Sequence, residues 1–93
     1  MGSAYMWTRV TREGVRTWRT RLDGRYRAHP IMYEGVVETR VDDDGATVYI
    51  PEVVVAQAGR LSAHTLSEAK DLEAAQRLVE TKIDGMTAGG FHH

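Results

Sequence analysis

Apolar and polar side chains alternate in short runs through the first two thirds of the chain, the period of half-buried β-strands. Tyr5 to Thr11 ends at the turn signal Arg12-Glu13-Gly14, and Val15 to Leu22 stops at Asp23-Gly24. Arg25 to Tyr33 is broken at His29-Pro30, which suits an edge or a bulge. Val36 to Val41 closes at Asp42-Asp43-Asp44-Gly45, Ala46 to Ile50 returns, and Pro51 separates it from Glu52 to Gln57. The β part ends at Gly59-Arg60. A helical period then takes over, with Ala69, Leu72, Ala75, Gln76, Val79 and Ile83 on one face. Thr65-Leu66-Ser67-Glu68 has the form of a capping box, Glu73 and Arg77 are spaced for an ion pair, and Asp84-Gly85 supplies a stop. The pattern predicts an α+β fold: an antiparallel meander sheet of about four or five strands with one C-terminal helix, over about residues 65–84, packed on one face. It is expected to be a single domain over residues 1–93, with 1–4 and 86–93 flexible. An edge strand such as Val53 to Gln57 would be open to pairing with a second copy in a homodimer.

The stretch Val15 to His29 holds five arginines around Asp23-Gly24. A two-residue loop there mixes apolar and charged groups on both sides of the hairpin. A three-residue loop, Leu22-Asp23-Gly24 with a left-handed glycine bulge, pairs Arg21 with Arg25 and Arg19 with Arg27. One face then carries Trp18, Thr20, Tyr26 and Ala28, and the other Arg19, Arg21, Arg25 and Arg27. A slip of one residue would exchange the faces, so burial favours the second register. Arg16 falls on the Trp18 face, near the strand end, where its head still reaches water. Two like-charged cross-strand pairs cost about 0.2–1 kcal/mol each, so something must relieve them. Three agents fit: solvent with Glu38 and Asp42 to Asp44, an acidic protein surface, or a nucleic acid backbone.

Charge is divided along the chain. Residues 1–33 carry seven arginines against Glu13 and Asp23, and residues 34–93 carry five basic against eleven acidic side chains. Such asymmetry points to an anionic partner or to pairing between the two halves. At 42% hydrophobic and 27% charged residues, the composition is that of a folded domain rather than a disordered one. Cysteine is absent, which removes disulfides, thiolate nucleophiles and cysteine metal sites. The longest aliphatic run, Val53 to Ala56, is too short to span a bilayer, and no apolar core follows a basic head as in a signal peptide. A cytoplasmic protein with no membrane association is expected.

Candidate chemistry is thin. His29 and His64 have no second ligand at metal spacing, and His92 and His93 are kept out of any site. Asp42-Asp43-Asp44-Gly45 lacks the alternating ligands of a calcium loop and has Val53 where the closing glutamate would stand. Ser62 and Ser67 sit in no nucleophile elbow, and there is no phosphate loop or dinucleotide fingerprint. A non-enzymatic protein without cofactor or metal is expected. Trp18 and Tyr26 fall opposite the four arginines, so core packing is their expected use rather than base stacking.

Gly59-Arg60-Leu61-Ser62-Ala63-His64-Thr65-Leu66-Ser67-Glu68-Ala69-Lys70, with Trp7-Thr8-Arg9 and Thr17-Trp18-Arg19, resembles small orphan sheet-plus-helix proteins of actinobacteria and their phages. That resemblance implies a three- to five-stranded sheet with one helix and a phage-borne accessory role exercised by binding a host protein. Ile50-Pro51-Glu52 with Thr65 to Ala69 is similar to HicB-type antitoxins, which would imply a small toxin as partner. Integrase arm-binding domains place a three-stranded sheet before such a helix; a resemblance to them implies a hairpin turn at Asp23-Gly24 and a DNA-contacting strand at Arg25-Tyr26-Arg27. The expectation is a small binding protein, a bacteriophage accessory protein, that engages a protein through Arg19, Arg21, Arg25 and Arg27. A nucleic-acid-binding module using the same residues, or an antitoxin, is the alternative.

Overall fold

The computed structural model of the chain describes residues 5–93. Six strands and one helix follow in the order β1 (Thr8–Arg12), β2 (Val15–Tyr26), β3 (His29–Val41), β4 (Thr47–Gln57), β5 (Arg60–Thr65), α1 (Leu72–Thr87) and β6 (Phe91–His92). The first five form an antiparallel meander in sequence order. β6 pairs with the end of β2 at Arg25 and Tyr26. Because those residues already pair with β3, β6 extends the same edge of β2 that β1 occupies. The α+β architecture is the one the alternation predicts. Residues 1–4, expected to be flexible, lie outside the described residues. In the segment 86–93, expected to be flexible, Met86 and Thr87 complete α1, and Phe91 and His92 pair with β2 as β6.

The hairpin expected at Asp23-Gly24 does not exist. β2 runs straight through it and turns at Arg27-Ala28, pairing Tyr26 with His29. The apolar register explains the shift. With the later turn, Trp18, Leu22 and Gly24 meet Val37, Tyr33 and Ile31, which bury against the helix. A turn at Asp23-Gly24 would instead have set Trp18 against Ala28. Gly24 is a glycine for a different reason: a Cβ there would overlap the His92 carbonyl oxygen and the Phe91 ring. The turns Glu13-Gly14 (φ 52° and 78°), Arg27-Ala28 (50° and 70°) and Ala58-Gly59 (54° and 75°) have both central residues left-handed, as two-residue type I′ hairpins require. Asp42 to Ala46 form the longer β3–β4 loop, where the Asp42 carboxylate accepts from the Asp44 and Ala46 amides at 3.0 and 2.9 Å.

The capping box at Thr65 is also not used. Thr65 ends β5, and the chain continues along the edge of β4: the Leu66 amide donates to the Pro51 carbonyl at 2.9 Å, and Ala69 and Tyr49 exchange two bonds of 2.8 Å. Those exposed β4 backbone groups compete for the segment that the sequence assigns to the first helical turn. Asp71 becomes the N-cap, its Oδ1 accepting from the Ala74 amide at 2.7 Å, and Glu68 pairs with Arg40 instead. The helix therefore spans 72–87 rather than 65–84.

Both prolines are accommodated by ladder alternation. The Pro51 carbonyl, and hence its nitrogen, points to the β5 side, where the Thr65 pairing has just ended. Pro30 lies beyond the last β3–β4 pair, Met32 with Ala56. Val53 to Gln57 is interior, between β3 and β5, so the copy-pairing edge expected there is displaced to β5.

The helix rests on β3 and β4. Ala75, Val79 and Ile83 are fully buried against Ile31, Tyr33, Val37 and Val53. Gly35 permits that approach, since a Cβ there would overlap Val79 and press on Thr20 and Trp7. The segment before β1 fastens to the helix flank: Trp7 Nε1 donates to Glu80 at 2.8 Å and the Tyr5 hydroxyl to Asp84 at 2.6 Å. Among the described residues no helix is long and apolar enough to cross a membrane.

Candidate binding face of the sheet

Alternation along β2 sorts its side chains. Trp18, Thr20, Leu22 and Tyr26 face the helix, while Arg19, Arg21, Asp23 and Arg25 face the other way. Arg27, expected on the same face, sits in the turn, with its amide bound to the Gly90 carbonyl at 3.0 Å and its guanidinium 5.5 Å from the Tyr26 ring centre. Three of the four predicted residues therefore share the uncovered face.

The two like-charged pairs do not form. Arg19 lies opposite Val36 and Arg21 opposite Glu34. Arg19 reaches Glu34 at 3.2 Å, and Arg21 holds Asp23 by two bonds of 2.8 and 3.1 Å. The Asp23 hydrogen bond and charge raise the Arg21 pKa, keeping its guanidinium firmly protonated. Arg19, Arg21 and Asp23 are exposed and Glu34 is partly so, and each pair adds at most about 1 kcal/mol. Their weight is in charge balance. Arg25 has no ion pair among the described residues, whereas Glu38 and Glu52 add negative charge to the same face. The face is a mixed-charge surface rather than a basic stripe.

Its other half is aliphatic. The positions of β3 and β4 turned from the helix include Met32, Val36, Val48, Ile50, Val54 and Ala56, continued on β5 by Leu61 and Ala63. Val36 and Val48 are only 5% and 7% exposed on a face no helix covers, and Leu61 is 75% exposed. The signal for this half is in the sequence: consecutive apolar residues from Val53 to Ala56 supply both faces of a strand, not one.

Among the described residues no group of three or more histidines and carboxylates gathers as a metal site. His29 opens β3, beside the turn, and His64 lies on the helix side of β5. Comparison of the chain with protein-family models, with curated proteins and with solved structures finds no match in any of the three.

Proposed function

We propose that the chain is a non-enzymatic binding protein, of the phage-accessory kind its C-terminal segment resembles, which docks a protein partner on the uncovered sheet face. The observation that carries this reading is the pairing of an aliphatic strip at Ile50, Val54 and Leu61 with an arginine margin at Arg19, Arg21 and Arg25. Apolar centre and polar rim are the anatomy of protein interfaces. The partner's surface would be apolar with carboxylates placed to meet Arg25 and Arg19. The mixed charge weighs against a phosphate backbone on this face, because Asp23, Glu34, Glu38 and Glu52 would repel it. A second copy is the alternative occupant, favoured by the free β5 edge, whose run Leu61 to Thr65 contains neither lysine nor proline.

The test is capture of one identifiable polypeptide from a host lysate by the native chain and by its variants. Val54→Asp and Arg19→Glu/Arg25→Glu should each abolish capture, and hydrogen exchange in the purified complex should slow at β4 and β5. Capture indifferent to both variants would refute the docking face. A concentration-dependent doubling of mass in light scattering, lost on Ala63→Pro, would assign the edge to a second copy instead.

A further inference from the structure

The opposite side of the sheet holds a second surface, independent of the docking face above. α1 begins at the level of Tyr49, whose backbone pairs with Ala69, and ends beside Tyr26 and Tyr33, where Met86 lies. The β1–β2 and β3–β4 hairpins continue past the start of the helix and leave part of its side of the sheet uncovered. The ladder fixes what stands there. Trp18 is flanked by Arg9 on β1 and Val37 on β3. One row further out, Arg16 is flanked by Thr11 and by Thr39, whose hydroxyl donates to the Arg16 carbonyl at 3.4 Å. Thr39 in turn faces Tyr49.

Arg16, Trp18, Thr39, Val41 and Tyr49 line a groove of about 440 Å³, and Arg9 stands outside its lining, beside Trp18 on β1. The Trp18 and Tyr49 rings stand 6.0 Å apart, tilted by 58°, and both are half-buried. Among the described residues neither the Trp18 indole N–H nor the Tyr49 hydroxyl has a hydrogen-bond partner, and neither Arg9 nor Arg16 is in an ion pair. The contrast with the other face is direct, since Arg19 and Arg21 have carboxylates beside them. The carboxylate of Glu68, which follows β5, is held by Arg40 at 2.7 Å.

We infer that this overhang is a binding site for a planar ring carrying phosphate: the ring stacks on Trp18 with Tyr49 against its edge, and Arg9 and Arg16 take the phosphate. Arginine forks match phosphate oxygens, and an aromatic platform accepts any base through its π-face. Arg9 and Arg16 stand diagonally on neighbouring strands, about 7–8 Å apart at the backbone. That spacing brackets Trp18 and suits a base held between two consecutive phosphates. Both a free nucleotide and single-stranded nucleic acid carry this chemistry.

The experiment titrates the full chain at low salt with a fluorescein-labelled twelve-nucleotide oligothymidylate, with adenosine 5′-monophosphate and with a random DNA duplex. Saturable binding of the oligonucleotide that weakens steeply with salt is expected; binding of the mononucleotide alone would support the site and assign it to free nucleotides. Arg9→Glu/Arg16→Glu, and the milder Arg9→Gln/Arg16→Gln, should weaken binding roughly tenfold or more while circular dichroism stays native. Tyr49→Leu should weaken it by a similar factor, and Arg19→Glu/Arg25→Glu should change it little. No binding of either single-stranded probe at low salt would overturn the inference. So would binding that prefers the duplex, or that responds to the Arg19/Arg25 pair and ignores Arg9 and Arg16.

Discussion

Thr20 and Ala28 each work against the stability of this fold, and each has a simple remedy. Thr20 is 3% exposed, and its hydroxyl has no hydrogen-bond partner among the described residues. It lies in β2 opposite Gly35, in the space beneath Val79 and Trp7. A buried hydroxyl without a partner costs about 1–3 kcal/mol relative to a shape-matched apolar group. Thr20→Val should therefore raise the unfolding free energy by about 1 kcal/mol, read as a higher urea midpoint with an unchanged slope. Ala28 is the second. Its φ of 70° places an L-residue in the left-handed region, in a turn where Asn-Gly is the favoured pair. Relief of the left-handed strain, about 1–2 kcal/mol, exceeds the entropy glycine adds to the unfolded chain, so Ala28→Gly should stabilise by about 0.5–1 kcal/mol. A thermal melt measures the difference.

At the scale of elements, the helix sits as close to the sheet as Gly35 allows. Gly35→Ala places a methyl where Val79 already packs, so the helix must lift or slide. A loss of about 1–3 kcal/mol is expected, the usual range for overpacking. Gly45→Ala is the control: nothing lies within reach of a Cβ there, so its cost should come from the positive φ alone. The same scale shows what the sequence could and could not convey. The strand runs, the helix face and the sorting of Trp18 against Arg19 and Arg21 are local periodicities, and they are legible. The turn at Arg27-Ala28 is not, because Asp23-Gly24 is the stronger turn signal and is overruled by the register that sets Trp18, Leu22 and Gly24 against Val37, Tyr33 and Ile31. The cap at Asp71 is hidden in the same way. Thr65 to Glu68 satisfies every local rule for a helix start, but the unpaired edge of β4 at Tyr49 and Pro51 claims that stretch first. The candidate site divides likewise: three arginines on one face follow from alternation, whereas their carboxylate partners Glu34 and Asp23 depend on the register.

Across the whole molecule, Arg19 with Glu34 is the one ion pair among the described residues that spans the charge division between the two halves of the sequence, and the other contacts tie elements together within or beside it. Arg19 with Glu34 and Arg40 with Glu68 hold strands and connector together, while Tyr5 and Trp7 fasten the start of the chain to carboxylates on the helix. Burial and then the hydrogen bond to Asp84 raise the Tyr5 pKa well above the usual value for a phenol, with the charges of Asp84 and Glu80 adding to the shift. Burial also raises Tyr33, with a smaller contribution from Tyr26. Groups whose folded pKa is raised stabilise the fold fully below the unfolded value, about 10 for tyrosine, and lose that contribution as pH climbs toward the folded one. Stability should accordingly be flat in this respect up to about pH 10 and fall above it. Tyr5→Phe should shrink the alkaline decline without abolishing it, because Tyr33 remains; urea midpoints between pH 8 and 11 provide the measurement.

The clasp between Tyr5 and Asp84, and that between Trp7 and Glu80, join positions 79 and 73 residues apart. During synthesis the hairpins can zip as they emerge from the ribosome, each closed by its own tight turn. Val79 and Ile83, which cover their apolar side, come only after all four hairpins in the sequence. The nascent sheet must therefore pass through an interval with Ile31, Tyr33, Val37 and Val53 bare to water, and its protection until α1 emerges falls to the cell's chaperones or to the speed with which the helix follows β5.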